Sequence, residues 1–250
     1  MSYIDDYHRD GVVVISGAFS LGQANDIRIG AWLAFAGSDI DAPYKSGRRT
    51  QYTRGDDELT MQFWPALTNA TLNLYRINPN LRCIVQEVLG DDVKQLNNQI
   101  YFKTPGVAGD CFNWHVDGMF RKHMSADAGP DDYLQTIICI DEMTEENGTI
   151  MFDLGSHRRP GNYYVCSKEH LREAPMMDGD EVPIEAEPGD VVIWHQYTVH
   201  GSGENKSNGT RMTYMNGFAK ASACEDGVWP DYLVDGEVVE EADASKLPYN

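Results

Sequence analysis

The sequence predicts a mainly β fold with α additions, a sandwich or jelly roll carrying an N-terminal helical layer. Short apolar-rich segments recur from about residue 95, separated by turns built from Gly, Pro and Asn. Helix signatures fall in the first ninety residues. A length of 250 residues and a hydrophobic content of 42% suit one domain with a real core.

In chain order, Val12–Ile15 is a short apolar run and reads as a buried strand. Ser20 followed by Gln23 forms a capping box, in which each side chain can satisfy the other's backbone N–H. It predicts a helix from about Leu21 to Phe35, with Ile27, Ala31, Ala34 and Phe35 near one face and Gly37 at its end. Asn78-Pro79 starts a second helix, because Asn caps and Pro fits the first helical position. Leu81, Ile84, Val85 and Val88 are its apolar stripe and Gly90 stops it. Strands are then expected at Gln95–Lys103, Phe112–Val116, Tyr133–Ile140, Thr149–Phe152, Val182–Glu187, Val191–His195 and Arg211–Ala219. Pro105-Gly106, Glu146-Asn147-Gly148, Pro188-Gly189-Asp190 and Ser207-Asn208-Gly209 supply turn chemistry between them. The expected layout is a helical, substrate-side layer over residues 1–92, a core over 95–220 and an acidic tail over 221–250.

Lys plus Arg number 20 against 39 Asp plus Glu, a formal charge of −19. A field of that sign repels phosphate backbones and argues against nucleic acid as a partner. No apolar run reaches the length of a membrane span. The acidic start Met1-Ser2-Tyr3-Ile4-Asp5-Asp6 has no secretory core, and Cys83, Cys111, Cys139, Cys166 and Cys224 form no CxxC pair. A cytoplasmic protein with reduced thiols is the expectation, its oligomeric state open between monomer and homodimer.

The chemistry concentrates in His115, Asp117 and His200. Residues i and i+2 share one face of a strand, so His115 and Asp117 can address one ion from a single strand end. His200 must arrive from another strand. Two imidazoles and a carboxylate can hold one face of Fe(II) and leave the opposite face open; zinc accepts the same ligands. A His-x-Asp tripeptide alone is a weak motif.

The surrounding pieces make it specific. Gln99-Ile100-Tyr101-Phe102-Lys103-Thr104-Pro105-Gly106 precedes Trp114-His115-Val116-Asp117. Glu146-Asn147-Gly148-Thr149 leads into Leu154-Gly155-Ser156-His157. Pro188-Gly189-Asp190-Val191-Val192-Ile193-Trp194 leads to His200-Gly201-Ser202, and Arg211 follows His200 by eleven positions. From Gln99 to Phe218 the chain resembles the phytanoyl-CoA dioxygenase family of Fe(II)/2-oxoglutarate oxygenases; the first ninety residues match loosely. Leu154 departs from the Pro usual at that turn.

The resemblance implies a double-stranded β-helix core, a cupin-like jelly roll. It also implies Fe(II) on His115, Asp117 and His200, with 2-oxoglutarate and O2 as co-substrates. Arg211 would take the far carboxylate of 2-oxoglutarate, since a guanidinium matches a carboxylate bidentately. Ser202, Gln99 and Lys103 are further candidates for that co-substrate; by residue type alone each is as well read as structural. The implied reaction couples release of CO2 and succinate to oxidation, most simply hydroxylation, of a small molecule such as a biosynthetic intermediate or amino-acid derivative. Halogenating relatives replace the carboxylate with Gly or Ala, so Asp117 favours hydroxylase-type chemistry. Desaturation, cyclisation and epimerisation use the same ligands. A 2-oxoglutarate-independent cupin-type metalloenzyme and a non-catalytic module are the rival classes.

Substrate contacts are expected from two basic clusters, Lys45/Arg48/Arg49/Arg54 and Arg121/Lys122/His123, which could hold an anionic group or merely be solvated. Phe63, Trp64 and Phe120 are candidate apolar walls, though aromatic residues are more often ordinary core. Residues Ser125 to Asp132 are either a lid or a rigid surface loop.

Overall fold

In a computed structural model, the described residues are 2–38, 49–54, 57–106, 114–120, 123–159 and 181–248; for 49–54, 57–60, 119 and 120 the backbone alone is described. The elements run α1 (Tyr3–Asp10), β1 (Val12–Ile15), α2 (Leu21–Ala36), β2 (Arg49–Arg54), β3 (Asp57–Phe63), α3 (Ala70–Arg76), α4 (Pro79–Leu89), β4 (Val93–Lys103), β5 (Tyr133–Cys139), β6 (Ile150–Asp153), β7 (Glu181–Pro183), β8 (Val191–His195), β9 (His200–Ser202), β10 (Arg211–Lys220), β11 (Asp231–Val234) and β12 (Glu237–Val238).

All strand pairs are antiparallel. The large sheet runs β1-β8-β5-β10-β4-β11-β12, with the β2–β3 hairpin also attached to β4, and the small sheet runs β7-β6-β9. The two sheets make the jelly-roll core. Strand alternation divides the large sheet between two layers. Ile100 and Phe102, Leu134 and Ile138, Val191 and Ile193, and Met212 and Tyr214 pack with Ile27, Leu72, Leu81 and Val85 of the helices. Their neighbours Ile137, Cys139, Val192 and Trp194 pack with Phe152 and Ile184 on the small-sheet side. Both faces of β5 and β8 are therefore covered, which is why these strands are mostly apolar and buried throughout, with Gln135, Thr136 and His195 as their buried polar residues.

The caps act as the sequence requires. Ser20 and Gln23 form the predicted capping box, and Asn78 caps α4. Four expectations need correction. Residues 1–92 hold more sheet than the one strand expected at Val12–Ile15, because the β2–β3 hairpin extends the large sheet from β4. Residues 221–250 are not a free acidic tail. Trp229, Tyr232, Leu233 and Leu247 are buried there, and β11 pairs with β4. His115 and Asp117 do not share a strand end. His115 makes an isolated bridge to His200, and Asp117 opens a 3-10 turn over Asp117–Phe120. The strand expected at Val182–Glu187 stops at Pro183, with a single further bridge from Ala186 to Met143.

Among the described residues no helix is long and apolar enough to cross a membrane.

Candidate active site

His200 begins β9, and its backbone exchanges two hydrogen bonds with His115, N–H to O in each direction at 2.9 Å. This pair brings a residue of the 114–120 segment against the small sheet. Two residues on, the chain turns, and the Gly118 N–H donates to the Gln196 carbonyl at 2.9 Å. A Cβ on Gly118 would lie 2.5 Å from the Tyr197 ring, so only glycine lets the turn seat this closely. Asp117 is thereby swung onto the face of the two imidazoles. Its Oδ1 is 3.9 Å from Nε2 of His115 and 3.9 Å from Nε2 of His200. One ligand atom from each of the three residues lies within 4.8 Å of the others, the only such His/Cys/Asp/Glu group of three or more among the described residues.

The surroundings fix the donor atoms. His200 Nδ1 is 2.9 Å from the Thr198 carbonyl. A carbonyl only accepts, so Nδ1 carries the proton and Nε2 offers its lone pair inward. Phe152 stacks on the His200 ring at 5.4 Å and 23°. The Trp194 indole N–H donates to Asp117 Oδ2 at 2.8 Å. Two imidazole nitrogens and one carboxylate oxygen facing a common point fit a divalent first-row metal such as Fe(II).

The triad borders a cavity whose walls include Tyr101, Ile150, Trp194, Thr213 and Met215, and also Lys103, Ser202 and Arg211. Arg211 and Lys103 are register partners on β10 and β4. Both are buried, and both donate to the Gly148 carbonyl, Arg211 at 3.0 Å and Lys103 at 3.2 Å. Lys103 Nζ also donates to Ser202 Oγ at 2.9 Å and to the Gly203 carbonyl. Burial lowers the Arg211 pKa to about 10, which leaves it cationic at neutral pH. Gly148 has φ +71°, and a Cβ there would come within 2.6 Å of the Gly203 carbonyl oxygen. The Glu146-Asn147-Gly148 turn thus presents its carbonyl to two cations because it is tight.

The structure brings together six of the sequence-predicted residues: His115, Asp117, His200, Arg211, Ser202 and Lys103. Gln99 lies on the same β4 face as Tyr101 and Lys103 and accepts a hydrogen bond from the Tyr101 hydroxyl at 2.8 Å, outside the cavity wall. Trp64 does not line the cavity. It is 1% exposed and packs with Met61, Phe63, Leu96 and Trp229, so it is a core residue. Lys45, Arg48, Arg121 and Lys122 lie outside the described residues, as do the side chains of Arg49, Arg54 and Phe120. His123 pairs with Glu225 at 2.9 Å. The 125–132 segment is tied down by Ser125 N–H to Ala223 O at 2.8 Å, Gln196 Nε2 to Pro130 O at 2.8 Å and Lys220 to Asp132 at 2.8 Å, which favours the rigid-loop alternative.

Sequence reasoning missed Trp194, Thr198 and Gly148 as parts of the site. It also missed Tyr101, Thr213 and Met215 as walls. The signal for the walls was present: they alternate in step with Lys103 on β4 and Arg211 on β10.

The phytanoyl-CoA dioxygenase (PhyH) family pattern matches residues 7–213. The chain belongs to that family. The probable alpha-ketoglutarate-dependent hypophosphite dioxygenase of Stutzerimonas stutzeri is 32% identical over 158 residues, 59% of this chain and 50% of the relative. The 2-aminoethylphosphonate dioxygenase of an uncultured bacterium, HF130_AEPn_1, is 26% identical over 157 residues, 61% and 55% of the two chains. The chain thus spans about half the length of the curated relatives it matches. In fold it is similar to the non-haem alpha-ketoglutarate-dependent epimerase SnoN from nogalamycin biosynthesis, with a TM-score of 0.70 at 17% identity over 88% of this chain and 81% of that one. The carbocyclase SnoK of the same biosynthesis gives 0.70 at 17% identity over 98% and 95%. A complex of SnoN holds Fe3+, alpha ketoglutarate and nogalamycin RO. Fe(II) and 2-oxoglutarate, the cofactor pair expected from the sequence, agree with these relatives and with the donor set of the site.

Proposed function

We propose that this PhyH-family chain is an Fe(II)- and 2-oxoglutarate-dependent dioxygenase that hydroxylates a small molecule. One observation carries the reading. A three-ligand metal face and the buried cations Arg211 and Lys103 line the same cavity.

His115, Asp117 and His200 hold the metal, and Thr198 keeps the His200 proton on Nδ1 so that Nε2 remains a ligand. Arg211, Lys103 and Ser202 bind the distal carboxylate of 2-oxoglutarate. They replace its water with fixed donors in a site where the Gly148 carbonyl already orients two of them. Ile150, Met215 and Trp194 add apolar surface to the same cavity. Held by these residues, Fe(II) would supply O2 activation coupled to the decarboxylation of 2-oxoglutarate to succinate, the chemistry that oxidises the substrate.

The substrate is a small biosynthetic intermediate or amino-acid derivative. The two relatives named for phosphorus acids make hypophosphite and 2-aminoethylphosphonate the first compounds to try. Fe(II) and 2-oxoglutarate added without oxygen should give a visible charge-transfer band that needs both and is lost in Asp117→Ala. Succinate release is then followed across the substrate panel. Bound iron with no such band would replace this reading with a 2-oxoglutarate-independent metalloenzyme.

A further inference from the structure

All three metal-facing side chains take their position from one corner, residues 194–200. The backbone of His200 holds His115, the Gln196 carbonyl holds the Gly118 N–H, and the Thr198 carbonyl holds the His200 ring. None of these contacts sets the rotation of the Asp117 carboxylate about its last bond. That rotation decides whether one oxygen or two face the metal.

Trp194 sets it. Its indole N–H donates to Oδ2 at 2.8 Å, while Oδ1 stays equidistant, 3.9 Å, from both imidazole Nε2 atoms. A hydrogen bond to a carboxylate is charge-assisted and short. The indole cannot turn away easily, because Trp194 is 1% exposed and packed edge-to-face against the stacked pair of Phe152 at 5.7 Å and His200 at 5.5 Å. We propose that Trp194 is a positioning residue that makes Asp117 a one-oxygen ligand. With Oδ2 held by the indole, the carboxylate occupies one coordination position and leaves the open face to co-substrate and oxygen. Phenylalanine at 194 would keep most of the packing and lose the donor. The inference rests on the metal reading of the triad.

Co(II) binding to the purified chain, read by its visible absorption, tests the idea without turnover. Trp194→Phe is compared with Val192→Ala, which removes volume from the same buried face of β8 but no hydrogen bond. Loss of a ligand-orienting partner typically weakens metal affinity by about 10–100-fold. Trp194→Phe should therefore raise the Co(II) Kd by that factor and change the band intensities, since coordination number changes. Val192→Ala should lower the apo-protein Tm and leave both readouts alone. Wild-type Kd and spectrum in Trp194→Phe would overturn the inference, as would Val192→Ala shifting both equally. A wild-type chain that takes up no Co(II) would overturn the metal reading and this inference with it; wild-type uptake isolates the question to Trp194.

Discussion

At the scale of the residue, the two ends of the cavity call for different side chains. Arg211 is buried against backbone carbonyls and keeps its charge at neutral pH although burial lowers its pKa to about 10. Arg211→Lys would keep a charge and lose the planar fork. A charged hydrogen bond contributes about 1.5–3 kcal/mol, so the 2-oxoglutarate KM should rise on the order of 10–100-fold while Co(II) affinity without co-substrate stays put. Titration with and without co-substrate separates the two. His195 makes a second residue-scale prediction. Burial first, and then the neighbouring His157, push its pKa down to about 4, against the pull of Asp131. A base whose folded pKa is depressed favours folding in its neutral form. Its stabilisation is complete above the unfolded pKa of about 6.5 and is lost as pH falls toward 4, by at most about 3 kcal/mol. Urea midpoints at pH 7.5, 6 and 4.5 should fall steeply in the wild type and less steeply in His195→Gln.

The elements show why part of the fold could be read in advance. β8 begins and ends where expected because a Pro-Gly-Asp turn precedes the apolar run Val191–Trp194. α2 and α4 start at their caps for the same kind of local reason. The β2–β3 hairpin escaped notice because its strands are polar and its pairing to β4 is long-range. The C-terminal segment was misread because its acids outnumber its anchors. Trp229, Tyr232 and Leu233 are only a few residues among many charges, yet they bury completely. Of the site, ligand types and spacings were legible. The turn that delivers Asp117 and the indole that orients it were not, since both depend on a contact with a segment some eighty residues away. The C-terminal segment also carries a prediction. Arg76 is fully buried and donates to the Val239 and Glu240 carbonyls at 3.1 and 2.7 Å. Ending the chain at Glu225 would strip those acceptors and uncover β4. Asn73 and Gln95 would still accept from Arg76. A lost hydrogen bond to a charged group nevertheless costs about 1.5–3 kcal/mol, and the buried Trp229, Tyr232 and Leu233 would go too. The truncated chain should therefore melt well below the full one or fail to fold, as calorimetry would show. An unchanged Tm would mean the segment is an appendage after all.

Across the whole molecule, the sign of the charge opposes the chemistry proposed for the site. The chain carries a formal charge of −19, and 2-oxoglutarate is a dianion. Approach from solvent is therefore uphill until the ligand meets Arg211 and Lys103, whose side chains are buried in the cavity wall. The two effects differ in range. The Debye length shrinks from about 30 Å at 0.01 M salt to about 8 Å at 0.15 M. Salt thus screens the distant surface acids strongly and the buried cations weakly. Adding salt over that range should speed 2-oxoglutarate association several-fold and lower its KM, the reverse of the usual loss when an anion binds a cationic site. The dissociation rate, set by contacts inside the cavity, should change little. Stopped-flow mixing of the Fe(II)-loaded chain with 2-oxoglutarate under anaerobic conditions reads both rates from the charge-transfer band. An association rate that falls with salt would show that the cavity's own cations reach the incoming ligand, so that the acidic surface lies away from the entrance.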